Sequence, residues 1–151
     1  MTYVPPYRKR IRVRWVAAGV VEATISTRAY PMVGDHWKSQ LSGMNAKKWG
    51  WIAIDPDRVA KRDRRREALG PWGNLYAGEV GNNLDECPGA MFMWQTNEPA
   101  HVQPCDARSN QEFGRDLYFA LRAAIPGPMG WWQVRFAFLD REELGADGES
   151  A

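Results

Sequence analysis

Cysteine and histidine are scarce in this sequence, two of each among 151 residues, and that scarcity narrows the chemistry at once. Structural zinc needs four ligands, usually short-spaced pairs of Cys or His. Here Cys87, His101 and Cys105 form one loose group, with Asp85, Glu86 and Asp106 beside it and His36 distant in sequence. These three are weak candidates for a metal, and neither a metal nor a cofactor is expected. His101 and Cys105 would share a helical face, but Pro99 and Pro104 argue against a helix there. One disulfide is the most that two cysteines allow, and in a reducing compartment packed free thiols are expected instead.

Long apolar runs are missing too. Nothing approaches the roughly 18 residues that span a bilayer, and residues 1–10 lack the apolar stretch of a secretory signal. The expectation is no membrane and a cytoplasmic or virion setting. No glycine-rich phosphate loop occurs, since Gly78-Glu-Val-Gly81 has neither the spacing nor the lysine of one. Repeats and low-complexity stretches are absent. Asp55, Asp57 and Asp63 lie close in sequence, as a carboxylate-metal nuclease would need, yet Asp55 reads as a helix cap and Asp63 as an ion-pair partner. No catalytic residue is assigned. A small hydrolase or nuclease ranks third among the functional readings.

What the chain has in excess is tryptophan: Trp15, Trp37, Trp49, Trp51, Trp72, Trp94, Trp131 and Trp132. One core of this size rarely takes eight indoles, each with about 150–250 Å² of surface and an N–H that needs an acceptor when buried. The surplus points to a contact surface. Net charge is only +2, but it is unevenly spread. A basic arm at 1–8 runs into Arg10, Arg12 and Arg14, and an acidic tail occupies 141–151. Opposed termini of this kind suit a partner at one end, head-to-tail contact between copies, or two solvated tails. The intervening residues 9–140 read as one domain.

Period-two alternation marks strands at 10–17 and 20–28, joined by a turn at Ala18-Gly19-Val20. Keeping both apolar sets on one face selects pairings that sum to 38, with Trp15 opposite Ala23 and Val13 opposite Ile25. Trp15, Val13 and Ile11 would then face the core, and Arg10, Arg12 and Arg14 the solvent. Asp35 is expected to cap a short helix bearing Trp37 and Leu41. A third strand is expected over 49–54, ending at Asp55-Pro56, whose N-cap and first-turn chemistry start a helix over about 56–69. Short strands follow at about 74–80 and 90–95. Ser109-Asn-Gln-Glu112 reads as a capping box, opening a helix over about 109–125 with Phe113, Leu117, Leu121 and Ile125 on its apolar stripe. The last strand, 131–139, alternates Trp132, Val134, Phe136 and Phe138 against Trp131, Gln133, Arg135 and Ala137. The sum is an α+β domain: a mostly antiparallel sheet beginning with an N-terminal hairpin, the 109–125 helix packed on a face, and a second, basic helix.

The candidate binding residues follow from that layout. Arg10, Arg12 and Arg14 would project about 6.6 Å apart along a strand. The 58–66 segment carries six cations and one acid, with Arg58, Arg62, Arg65 and Arg66 the residues for phosphate or an acidic protein surface; a solvated charge run is the alternative. Trp49 and Trp51 would share one strand face, as an exposed platform if Ile52 and Ile54 face the core, or as core with them if helices cover both faces. These features favour a non-enzymatic structural or interaction protein, a subunit of a larger assembly whose partners are protein chains. A phage or mobile-element component or inhibitor would suit the size and composition. A nucleic-acid-binding module using the arginine strand and the basic helix is the second reading.

Overall fold

The computed structural model describes residues 6–70 and 82–145. The expected strand at 74–80, Trp72 and the end of the acidic tail lie outside them. Among the described residues two sheets and three α-helices form an α+β domain. The larger sheet has the order β1 (Ile11–Ala17), β2 (Val20–Ser26), β7 (Gln133–Leu139), β3 (Ile52–Ile54), β5 (Phe92–Trp94). The β2–β7 pair is parallel and the others are antiparallel. The smaller sheet pairs β4 (Asn82–Cys87) with β6 (His101–Asp106), two strands that the sequence reading missed. The helices are α1 (Val33–Leu41), α2 (Arg58–Leu69) and α3 (Ala107–Ala124).

The hairpin forms with its apolar faces together, but its register differs from the expected one by two residues. Val13 pairs with Ala23 and Ile11 with Ile25, sums of 36 rather than 38. The turn is the two-residue Ala18-Gly19, with Gly19 at φ 74°, and the register slips by one between Trp15 and Ala17. A bulge beside a short turn thus replaces the longer turn. Arg10 precedes the strand and turns inward. Trp15, expected in the core, is 59% exposed, because the helix covering β1 ends beside it and supplies only the Ala124 carbonyl to its indole N–H, at 3.0 Å.

Three helix starts also move. α1 begins at Val33, two residues before Asp35, behind Met32 at φ 68°. α2 is capped by Asp57, whose carboxylate accepts from the amides of Val59 and Ala60 at 2.9 and 3.2 Å; Asp55 is engaged with Arg64 instead. α3 is capped by Asp106 through the Ser109 amide at 2.9 Å, so Ser109 is a buried first-turn residue and Glu112 pairs with Arg108. The 49–54 strand shortens to Ile52–Ile54, since Gly43–Lys48 coils as a 3-10 helix and Gly50 sits at φ 68°.

The core lies between the large sheet and helices α1 and α3. Val21, Ala23 and Ile25 of β2 and Val134 of β7 meet Phe113, Leu117 and Leu121 of α3 and Val33, Trp37 and Leu41 of α1. Phe113 packs edge-on against Tyr30 and Trp37, with centroids 5.1 and 4.8 Å away, geometry that the aromatic quadrupole favours. Arg10 reaches Asp116 at 2.9 Å, and that buried carboxylate also accepts from the Tyr30 hydroxyl at 2.7 Å. The small sheet lies apart from the large one, in contact with all three helices. Helix α2 buries none of its residues. Residues 140–145 turn back on their own chain: the Leu144 amide donates to the Lys9 carbonyl at 2.6 Å, and Arg12 donates to the Gly145 carbonyl.

Candidate functional site

Successive residues of β4 place acidic side chains on opposite faces of the small sheet, because side chains alternate along a strand. Asp85 shares its face with Cys87 and, across the ladder, with His101 and Cys105, while Glu86 lies on the other. Helix α1 packs its stripe of Val33, His36, Trp37, Gln40 and Leu41 inward at helical spacing. Asp85 meets that stripe. His36 Nδ1 lies 2.6 Å from Asp85 Oδ2, and the Trp37 indole N–H donates to Oδ1 at 3.2 Å. His36 Nε2 in turn lies 2.8 Å from His101 Nδ1.

The hydrogen-bond roles follow from the donor inventory. A carboxylate only accepts, so His36 donates to Asp85 from Nδ1, and its Nε2 shares one hydrogen bond with His101 Nδ1. A buried acid therefore orients two imidazoles in series, ending on the exposed His101. Burial, with help from His36 and Lys48, holds the His101 pKa below its ordinary value, so the ring is neutral at pH 7. This arrangement can accept a proton at His101. The thiols beside it are unreactive, since burial foremost, and Asp85 next, pushes the Cys105 thiol up to about 12 and Cys87 higher still than a free thiol. Both cysteines are free and buried, and among the described residues no group of three or more His, Cys, Asp or Glu could hold a metal ion. Cys87, His101 and Cys105 are neighbours on one sheet face without being a ligand set.

On the opposite face Glu86 is 6% exposed and accepts from Arg65 at 3.0 Å through Oε1, while Oε2 has no hydrogen-bond partner. Burial raises its pKa; Arg65 pulls it back, Asp85 repels it further, and the Ala90 amide lowers it slightly. A pocket of about 350 Å³ is lined by Leu84, Asp85 and Glu86 of β4 and by no residue of β6. Its other walls are residues 89–92 and the first turns of α3.

The sequence-selected binding residues do not form one surface. Arg10 is tied to Asp116, Arg14 bridges Glu22 at 3.1 Å, and Arg12 holds the Gly145 carbonyl. On α2, Arg65 belongs to Glu86 and Arg62 lies 3.7 Å from Asp63, while Arg58 and Arg66 point to solvent. Trp49 and Trp51 do not make a platform: Trp49 is fully buried, its N–H on the Gln40 carbonyl at 3.0 Å, and only Trp51 is open, at 39%. Gly50, in the left-handed region, breaks the alternation that would have put both on one face.

A different indole pair emerges at the hairpin end of the large sheet. Trp15 of the edge strand β1 touches Trp132 edge-on at 5.4 Å, Val16 beside it is 45% exposed, and Trp131 is 67% exposed. Trp131 is held at φ 71°, a conformation that costs a bulky residue of order 1–3 kcal/mol. The backbone around it is closely confined: the Trp131 amide donates to the Ile54 carbonyl at 2.7 Å, and a Cβ on Gly130 would come within 2.7 Å of Pro56.

The His36–Asp85–His101 series, Glu86 and Trp131 are the features that sequence reading did not assemble. Asp85, Glu86 and His36 stood near the cysteine group as acids and a distant histidine, but nothing local says which of them meet. No protein-family model matches the chain, and no curated protein matches its sequence.

Proposed function

We propose that this chain is a non-enzymatic interaction protein that works as a subunit of an assembly, its contact face being the patch of Trp15, Val16 and Trp131. The observation that carries this reading is Trp131, an indole kept in solvent on a strained backbone, whose chain neighbour Trp132 meets a second exposed indole, Trp15 of the edge strand β1. Strain persists where surrounding structure enforces it, and it concentrates at working surfaces. Trp and Arg are the residues that dominate association energy, and an edge strand is where sheets accept partners. The occupant is a second copy of the chain. The rung next to the patch alternates in sign, Arg14 to Glu22 to Arg135 across three strands, so a two-fold related copy can set Arg against Glu. A cytoplasmic or virion setting goes with this reading, and no helix among the described residues is long and apolar enough to cross a membrane.

Light scattering on a size-exclusion column tests it directly. The wild-type chain should run as a concentration-dependent oligomer, and Trp15→Ala with Trp131→Ala should convert it to a monomer of unchanged thermal stability, each truncation weakening association by about 2 kcal/mol. A wild-type monomer at high micromolar concentration overturns the proposal. Nucleic acid is the competing partner, carried by Arg58, Arg62 and Arg66 on the open face of α2. Binding to duplex DNA or RNA that weakens steeply with salt, and flattens when two of these arginines are replaced, would put that reading first.

A further inference from the structure

The contact between His36 Nε2 and His101 Nδ1, at 2.8 Å, is the one side-chain hydrogen bond that ties α1 to β6 among the described residues. It joins two rings of unequal freedom. His36 is fully buried, and its Nδ1 is fixed on Asp85 at 2.6 Å. His101 is exposed and begins its strand, so its ring has solvent to turn into. Strand β4 has a separate hold on α1, because Asp85 meets both His36 and Trp37.

One hydrogen bond between two ring nitrogens uses one proton, whichever ring owns it. A proton on each nitrogen sets N–H against N–H and brings like charges together, so the 2.8 Å contact cannot survive it. The other groups facing the pair decide how much charge it tolerates. Asp85 of β4 balances one positive charge. Cys87, across the ladder from His101, and Cys105 of β6 are buried thiols whose raised pKa values keep them neutral in acid. Lys48, which ends the 3-10 turn Gly43–Lys48, adds positive charge toward His101. Glu86 lies on the opposite sheet face with Arg65 of α2, and Asp106 caps α3. One charge on the two rings is therefore compensated and a second is not. Since His36 is enclosed, His101 is the ring that leaves. We propose that the His36–His101 contact is an acid-operated latch, which holds the start of β6 on α1 while the rings share a proton and releases it when both are charged.

NMR on the full chain between pH 7 and pH 5 tests this. Ring-nitrogen shifts report the charge of each histidine, cross-ring proton contacts report the latch, and amide exchange reports each ladder separately. Protection at the His101 end of the β4–β6 ladder should fall at least about tenfold as the second ring charges, while the β2–β7 ladder stays within about twofold, as a local opening requires. His101→Gln is the control, because its amide can donate to or accept from His36 Nε2 and carries no charge. That variant should keep its β4–β6 protection across the range. Two charged rings still in contact, or a latch still closed at pH 5, would overturn the proposal. So would an equal fall in the β2–β7 ladder, which is general acid unfolding, or the same local fall in His101→Gln.

Discussion

His36 and Asp85, 49 residues apart in sequence, meet at 2.6 Å in the interior. That contact joins the buried face of α1 to β4, and it leaves His101 as the single surface outlet of the series. Removing the interior member should hurt more than removing the outlet. His36→Leu leaves a buried carboxylate with only the Trp37 donor and should cost about 3 kcal/mol in urea unfolding. His101→Ala, at an exposed ring, should cost under about 1 kcal/mol. Equal losses would mean that the two histidines do not form an ordered series.

The same pair sets a pH dependence. His101 is held below its ordinary pKa of 6.5 in the folded chain, by burial first and by His36 and Lys48 after it. The unfolded chain then takes the proton more readily, so this contribution to stability is complete above pH 6.5 and is lost as pH falls toward the folded value. His101→Gln should show a shallower fall in midpoint denaturant concentration between pH 7 and pH 5 than the wild type. Identical slopes would show that the ring is unperturbed.

Much of the frame was legible because it is periodic. The alternation of Val134, Phe136 and Phe138 marked β7, and four-residue spacing from Phe113 to Leu121 marked α3; both reflect burial on one face, which local pattern records. What was not legible depends on contacts between distant segments. Asp55-Pro56 carries cap chemistry as sound as that of Asp57, and Asp55 does accept the Asp57 amide, but the helix begins only at Arg58 and the other Asp55 oxygen holds Arg64. Ser109 yields to Asp106 because the strand β6 runs straight into the helix. Trp49 and Trp51 were read together, as a platform or as core, whereas one is buried and the other open, because a single glycine turn between them decides which side each takes. Of the site, the residue types were noticed, but His36 reaches His101 across 65 positions, and no spacing rule describes that.

Helix α2 provides the sharpest contrast between a structural and a solvated arginine. It buries no residue, so its attachment rests on what its side chains reach. Arg64 donates to the Ala90 and Phe92 carbonyls at 2.9 and 2.7 Å and to Asp55 at 2.6 Å, with its guanidinium 5.7 Å from the centre of the Trp94 ring. Arg62 has only Asp63, at 3.7 Å and in solvent. Arg64→Ala should therefore cost about 3 kcal/mol, the loss of one member of a largely buried pair, while Arg62→Ala should stay within about 0.5 kcal/mol. Acid behaviour separates them as well. Burial alone would raise the Asp55 pKa, but Arg64, the Asp57 amide and Lys61 together outweigh it and hold it below the ordinary 3.8. For a lowered carboxyl the stabilisation is present above pH 3.8 and is lost as pH falls through the folded value. The Arg64→Ala chain should thus lose less stability than the wild type below about pH 4, keeping only the part carried by Asp106 and Asp140, which are also lowered. The Arg62→Ala chain should follow the wild-type curve throughout. Equal costs for the two substitutions, or parallel acid limbs for Arg64→Ala and wild type, would show that α2 is held by something other than Arg64.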